Sequence, residues 1–489
     1  MAIRRVLLLL LAVLGPFGPA AARGAAAQTA AAPPRNVVFI LSDDHRYDFM
    51  SFMKSAPPFL KTPALDRMAR QGVHVRNAFV TTALCSPSRA SILTGQYAHR
   101  HGIVDNSTPI PEGTRFFPGQ LQRAGYRTAF VGKWHMGHED DAPQPGFDQW
   151  VSFRGQGVYS NPELNINGQR RQEEGYTTDL LTGHALEWLK RQQSSEPDRP
   201  FFLYLSHKAV HAEFEPAPRH RGRYANAPIP YPDTMADTGD NYRGKPAWVR
   251  EQRFSWHGVE HMYHGAMQFD QFYRAYCETL LALDESVGRV LDYLEQTGLD
   301  RSTLVIYMGD NGFLLGEHGL IDKRNAYEES IRVPMIAWAP GYLEAGTATD
   351  RLVRNIDVAP TLLELAGVPA PAGMDGRSVL PALRGEDVSW EGELLYEYYW
   401  EYAFPHTPTT LALRGDRYKF IYYPGVWDRQ ELYDLTADPA ERHNLIDRPE
   451  HAARVKEMRE RLWDRLEEGG GMTVPLRRGS FQANERKGR

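Results

Sequence analysis

Cysteine is nearly absent. The 489 residues hold only Cys85 and Cys277, too few for a disulfide framework. Long apolar runs are missing too. Beyond the first segment, no stretch reaches the ~18 uninterrupted apolar residues that a membrane span needs. There is no surplus of positive charge, because 56 basic side chains face 61 acidic ones for a net charge of −5. Overall charge therefore offers no electrostatic footprint for nucleic acid. No internal repeat is visible. What is present is ordinary for a globular chain, with 42% hydrophobic and 24% charged residues. That is enough for a sizeable core.

The first segment reads as an address. Arg4 and Arg5 precede the apolar Val6–Leu14, and small residues follow to about Ala27. This is the pattern of a secretory signal. The protein is expected to be exported, periplasmic or secreted, with no stable membrane anchor. Loss of Arg4, Arg5 and Arg23 would take the net charge from −5 to −8.

Alternating strand and helix patterns predict an α/β fold: a large, mostly parallel sheet sandwiched by helices, with a smaller C-terminal α+β subdomain. Arg35–Leu41 is a continuous apolar run and reads as a buried strand. Further buried strands are expected at Thr128–Val131, Phe201–Leu205, Thr303–Met308 and Val333–Trp338. Helices are expected at Pro63–Gln71 with Thr62 as N-cap, Pro118–Ala124, Tyr263–Gln296 and Val358–Ala366. Cys277 falls on the apolar face of the long helix, as a packed core cysteine. Phe214–Trp256 reads as a long ordered loop. Short strands Leu394–Tyr399, Thr410–Leu413 and Tyr418–Tyr423, then an amphipathic helix through Val455 and Leu466, mark the subdomain. The expected division is 1–27 signal, 33–385 catalytic domain, 386–474 subdomain and 475–489 basic flexible tail.

Two of the buried strands end alike. RNVVFILSDD delivers Asp43 and Asp44, and TLVIYMGDN delivers Asp310 and Asn311. In open parallel sheets, ligands bind at the carboxyl ends of strands. Either pair alone could simply cap the following turn. Three carboxylates and an amide together would repel unless a cation lay among them. All supply oxygen, which suits Ca²⁺, or Mg²⁺, and not a soft metal. Cys85 precedes Ser86 and Pro87, which fit the N-cap and first position of a helix. Amide dipoles there favour negative charge, and Arg89 adds a fork of donors one turn on. Cation, dipole and arginine together describe an anion site.

The run Cys85-Ser86-Pro87-Ser88-Arg89, followed by Ala90 to Gly95, resembles the type I sulfatase signature C-x-P-x-R with its trailing Thr-Gly. A second family signature stands at Gly125–His135, as GYRTAFVGKWH. The resemblance spans roughly residues 35–450 and includes Ser206–His211 and Asp310-Asn311-Gly312 followed by Lys323. It implies the fold of the alkaline phosphatase superfamily and the hydrolysis of a sulfate monoester.

It also implies that a maturation enzyme oxidises Cys85 to Cα-formylglycine. Asp43, Asp44, Asp310 and Asn311 would then hold Ca²⁺ with an oxygen of residue 85. One hydroxyl of the hydrated aldehyde would attack sulfur, with Asp310 as candidate acceptor of its proton. Lys133, Lys323 and Arg89 would stabilise charge on the sulfate. His211, with Lys323, would protonate the departing oxygen. His135 would deprotonate the second hydroxyl to expel sulfate. His207 lies four residues before His211, and the resemblance favours the later one. His318, in Gly316–Gly319, orders its loop or reaches the substrate. His45 is expected behind the metal ligands rather than among them.

The segments Gly316–Arg324, Tyr396–Glu401 and Asp416–Ile421 with Glu431–Leu435 resemble sugar sulfatases of the N-acetylglucosamine-6-sulfatase and heparan-sulfatase group. Aromatic faces suit sugar rings, although the same aromatics could form subdomain core. A short sulfated oligosaccharide is the expected substrate. Two other readings stand beside this one: a phosphatase or phosphonate monoester hydrolase of the same superfamily, and a non-catalytic sulfated-glycan-binding protein. The first would need a larger His/Asp set if it used two zinc ions. The second would be expected to lack Cys85, Lys133 or Lys323.

Overall fold

The structure is a computed structural model that describes residues 33–137, 140–265, 267–425 and 429–475. The expected signal at 1–27, and the basic tail beyond residue 475, lie outside the described residues.

Ten strands form one sheet. In chain order they are β1 Asn36–Ser42, β2 Val73–Phe79, β3 Arg127–Lys133, β4 Gln149–Phe153, β5 Glu163–Ile166, β6 Gln169–Gln172, β7 Phe201–Ser206, β8 Thr303–Gly309, β9 Met335–Trp338 and β10 Thr347–Arg354. Their spatial order is β10-β2-β9-β8-β1-β7-β3-β4-β5-β6. β1 lies in the middle, parallel to β8 on one side and β7 on the other. The block β8-β1-β7-β3-β4 is parallel throughout. β9 runs against both of its neighbours.

β1 is buried along its whole length because both faces of the sheet are covered. Val37, Phe39 and Leu41 join one core; Val38 and Ile40 join the other. The second core lies under helices Thr177–Ser195 and Phe269–Gln296 and includes buried Cys277. The first core is covered by helix α2, Cys85–Thr94, and by the helix Val358–Leu365. Every residue of α2 is buried.

Four further strands make a separate antiparallel sheet: β11 Leu394–Tyr398, β12 Thr410–Arg414, β13 Tyr418–Tyr422 and β14 Glu431–Asp434. One face carries Leu394, Tyr396, Tyr398 and Ala412 into the first core of the large sheet. The other face, with Leu395, Leu411 and Leu413, packs on Val455, Met458, Leu462 and Leu466 of the helix Ala452–Gly469.

Buried ion pairs tie this sheet to the segment that carries Lys323. Arg414 and Lys419 both meet Glu328 at 3.1 Å. The Tyr327 hydroxyl donates to Glu431 at 3.0 Å, and Arg324 pairs with Glu401 at 2.7 Å.

Local expectations are corrected in three places. Helix α2 starts at Cys85 with Leu84 as N-cap, two residues earlier than Ser86. The Asn106 side chain accepts from the Ser86 amide at 3.0 Å, so a distant residue supplies the cap. The long helix begins at Phe269, with a separate turn of helix at Met262–Gly265. The stretch 214–256 is not wholly loop, since it holds short helices at Gly239–Tyr242 and Ala247–Glu251. Among the described residues, no helix is long and apolar enough to cross a membrane.

Candidate active site

The parallel register pairs Ser42 of β1 with Gly309 of β8. The residues that follow must therefore emerge side by side. The Asp44 amide donates to Asp310 Oδ1 at 3.1 Å, and the Asp310 amide to the Ser42 carbonyl at 2.9 Å. Carboxylate oxygens of Asp43, Asp44 and Asp310 lie within 4.8 Å of one another. Asn311 joins them, its Nδ2 donating to Asp44 Oδ1 at 2.6 Å. All four residues are fully buried.

Crowded buried carboxylates are costly unless positive charge is near. The structure shows that stress. Burial and the charges of Asp43 and Asp310 push Asp44 up to about 7, against the pull of Lys323. Asp310 is raised as well, by burial and by Asp43. Asp43 stays well below its ordinary value because Lys133, His211, Arg89 and Lys323 outweigh its burial.

Cys85 faces these acids from the first turn of α2. Its Sγ lies 3.7 Å from Asp43 Oδ1, and Lys323 Nζ lies 3.3 Å from Sγ. Burial and Asp43 push the thiol up to about 12, despite the two lysines. Lys133, at the end of β3, pairs with Asp43; Lys323 pairs with Asp44. The close approach of β3 to β7 needs Gly132, with φ +128°, because a Cβ there would sit 1.7 Å from the Ser206 carbonyl oxygen.

Arg89, also buried, uses its whole guanidinium on protein groups. Nε and Nη2 meet Asp310 Oδ2 at 3.0 and 2.9 Å, and Nη2 reaches Asp43 at 3.4 Å. Nη1 donates to the Lys133 carbonyl at 2.7 Å and to Ser206 Oγ at 2.6 Å. It thus ties together the ends of β1, β3, β7 and β8.

Of the two spaced histidines, His211 faces the acids, with Nε2 4.0 Å from Asp44 Oδ2. One of its ring nitrogens also lies within 4.8 Å of Asp43 and Cys85. His207 turns the other way and meets Ser286 Oγ of the long helix at 3.0 Å. His135 is buried nearby, and its Nδ1 has no hydrogen-bond partner among the described residues. Burial, Lys133 and Arg89 hold it well below its usual value. His45 lies behind the acids, between the Tyr307 hydroxyl at 2.6 Å and the Phe49 carbonyl at 3.0 Å. The His318 ring lies tilted against Tyr327, with ring centroids 4.1 Å apart. No hydrogen bond links its ring to Cys85 or the acids among the described residues.

The motifs did not disclose Gln156, Tyr159 and Lys208. Gln156 accepts from Lys133 Nζ. The Tyr159 hydroxyl donates to the His211 carbonyl at 2.6 Å. Lys208 Nζ sits 4.6 Å over the Tyr159 ring, without a carboxylate partner among the described residues. Burial and Lys133 pull Lys208 down to about 8. The one available signal was its place between His207 and His211.

Comparison with known proteins bears directly on this arrangement. The family described as Sulfatase matches residues 35–368, and the one described as N-sulphoglucosamine sulphohydrolase, C-terminal, matches 316–468. An N-acetylglucosamine-6-O-sulfatase of Bacteroides thetaiotaomicron is 33% identical, over 87% of this chain and 85% of its own. The N-acetylglucosamine-6-sulfatase of Homo sapiens is 32% identical, over 84% and 80%. A solved structure in complex with its substrate, D-glucosamine-2-N,6-O-disulfate, aligns with a TM-score of 0.82 at 31% identity, covering 91% of this chain and 99% of that one. The chain belongs to the sulfatase family, within the alkaline phosphatase superfamily. It is an enzyme of that class, a hydrolase of sulfate esters.

Proposed function

We propose that this sulfatase removes a sulfate ester from a sugar, with the 6-sulfate of N-acetylglucosamine as the preferred position. The observation that carries the chemistry is Cys85 Sγ, set between Asp43 at 3.7 Å and Lys323 at 3.3 Å. The sugar and its position are supported by similarity to the two N-acetylglucosamine-6-sulfatases.

The donor set fits a hard cation. Asp44 Oδ2, within the cluster of three carboxylates, and the neighbouring Asn311 Oδ1 are buried without a hydrogen-bond partner among the described residues. Asp43, Asp44, Asp310 and Asn311 would hold Ca²⁺, with Mg²⁺ as the other oxygen-seeking candidate. When bound, the ion supplies positive charge for the sulfate oxygens. Cys85, converted to formylglycine by a maturation enzyme, would supply a hydroxyl nucleophile as the hydrated aldehyde. A thiol buried beside the Asp43 carboxylate is poorly placed to act as a thiolate itself, which favours the modified residue.

The remaining residues divide the work. Lys133 and Lys323 place charge on two sides of residue 85, and Lys208 adds a further cation above the Tyr159 ring. Arg89 holds Asp43 and Asp310 in place and so acts through them. His211 holds the proton for the departing sugar oxygen. Burial and the surrounding lysines keep it well below its usual value, and a bound sulfate ester offsets those cations. His135, on the other flank, takes the proton when residue 85 is regenerated. His318, behind Tyr327, serves the substrate through its loop. An exported protein is in keeping with the leader expected at 1–27.

A panel of sulfated monosaccharides, assayed for released sulfate, tests this reading. N-acetylglucosamine 6-sulfate should be cleaved faster than its 3- and 4-sulfate isomers. Chelation should remove activity, and Ca²⁺ should restore it better than Zn²⁺. Turnover of phosphate or phosphonate esters with no sulfate released would overturn the assignment.

A further inference from the structure

Eight large apolar side chains are exposed among the described residues, and four of them come from two touching loops. Phe254 is 67% exposed and Trp256 51%, while Trp400 is 47% exposed and Tyr402 52%. The loops meet where Gln252 Nε2 donates to Thr407 Oγ1 at 2.7 Å and where the His257 and Phe404 rings lie 4.8 Å apart. Trp400 and Tyr402 stand edge to face, 6.3 Å apart. In the run Tyr396–Trp400, the first residues supply core: Tyr396, Tyr398 and Tyr399 are buried. Trp400 alone of its aromatics is exposed.

Both loops are fastened to the segment that carries Lys323. The Ile321 amide donates to the His257 carbonyl at 2.7 Å, and His257 Nδ1 meets Asp322 at 3.1 Å. The Arg324 guanidinium lies 3.6 Å from the centre of the Phe404 ring. Lys323, between those two residues, touches Cys85 Sγ. The two loops that carry the exposed aromatics are therefore fixed to the residues on either side of Lys323.

The charges beneath them leave no spare cation: one arginine faces two carboxylates. Arg324 pairs with Asp322 at 2.9 Å and with Glu401 at 2.7 Å. An aromatic surface with no spare cation suits the apolar C–H face of a pyranose and gives a second sulfate no counter-charge. Exposed apolar patches of this kind mark ligand grooves.

We infer that Phe254, Trp256, Trp400 and Tyr402 form a platform for the sugar ring next to the sulfated one, so that the preferred substrate is an oligosaccharide. This rests on the sugar-sulfate reading above.

The test compares sulfate release from N-acetylglucosamine 6-sulfate and from a disaccharide in which that residue is β-linked to galactose. The wild type should favour the disaccharide in kcat/KM by roughly 3–10-fold, the range of one aromatic stacking contact. Trp400→Ala and Trp256→Ala should each erode that preference, mainly through KM, and Trp400→Phe should keep most of it. A preference absent in the wild type, or untouched by both alanine variants, would overturn the platform. A second measurement does not depend on turnover. Disaccharide binding to Cys85→Ala protein, read by calorimetry, should weaken several-fold on adding Trp400→Ala. If the wild type releases no sulfate from either sugar, the sugar-sulfate reading fails. The calorimetry then decides the platform alone, and equal affinities reject it.

Discussion

At residue 85 the surroundings bear on which group does the chemistry. The thiol is fully buried, with Sγ 3.7 Å from an Asp43 carboxylate oxygen, whereas a reactive thiolate is partly exposed. Peptide mass spectrometry of active protein should therefore show residue 85 lighter than cysteine by a sulfur-for-oxygen exchange and two hydrogens. Full activity in protein whose residue 85 is wholly thiol would refute the modification. His211 separates leaving groups. A sugar hydroxyl leaves badly without a proton, and a nitrophenolate leaves well. General acid help is worth ~10²–10⁴-fold. His211→Ala should lose most of that factor on a sugar 6-sulfate and much less on an aryl sulfate. Equal losses on the two substrates would remove the proton from His211's role.

Secondary elements show how tertiary contacts replace local signals. Thr62 stands at the N-cap of α1, Pro63–Gln71, but its hydroxyl meets Ser51 and Asp66. The first amides of α1 are capped instead by Asp284 of the long helix, at 3.0 and 2.9 Å. Another such tie joins the short helix Ala98–His101 to β11. His99 meets Glu397 at 2.8 Å through Nδ1 and the Gly469 carbonyl at 3.0 Å through Nε2. Burial lowers its pKa, but Glu397 and that carbonyl outweigh burial and leave it raised. A raised folded pKa stabilises below the unfolded value and is lost as pH climbs through the folded one. His99→Gln should therefore cost more stability at about pH 5.5 than at about pH 8.5, up to roughly 1.5–3 kcal/mol for a charged hydrogen bond. Thermal melts of both proteins at both pH values check this; equal costs would show that His99 is neutral.

The same contrast explains what the sequence made legible. The strands ending in Asp43-Asp44 and Asp310-Asn311 announced themselves by unbroken apolar runs. The cysteine and lysine signatures are contiguous in the chain. β2 was missed because VHVRNAF interleaves its apolar residues with His74, Arg76 and Asn77. The helix Thr177–Ser195 and the hairpin β5–β6 carry weak or wholly polar patterns. Lys208 and Tyr159 meet only in space, as do Lys133 and Gln156, so no spacing along the chain could join them.

At the scale of the whole molecule, the two sheets share one core and a set of buried charges. Glu328 lies five residues after Lys323 and is held by Arg414 and Lys419 of the small sheet. Removing one side would strand charges that are costly to bury alone. Calorimetry should thus record a single unfolding transition, and a chain ending at residue 385 should fail to fold. Two separated transitions, or a soluble active fragment 33–385, would show independent halves.

The central position of β1 also has a consequence for timing. NVVFILS is the first strand to be made, yet its neighbours β8 and β7 come much later in the chain. During synthesis this sticky apolar segment waits without a partner, a state prone to aggregation. The newborn protein should gain from holding factors until β8 has been made, and its refolding from denaturant should be slow because its key pairings are distant in sequence.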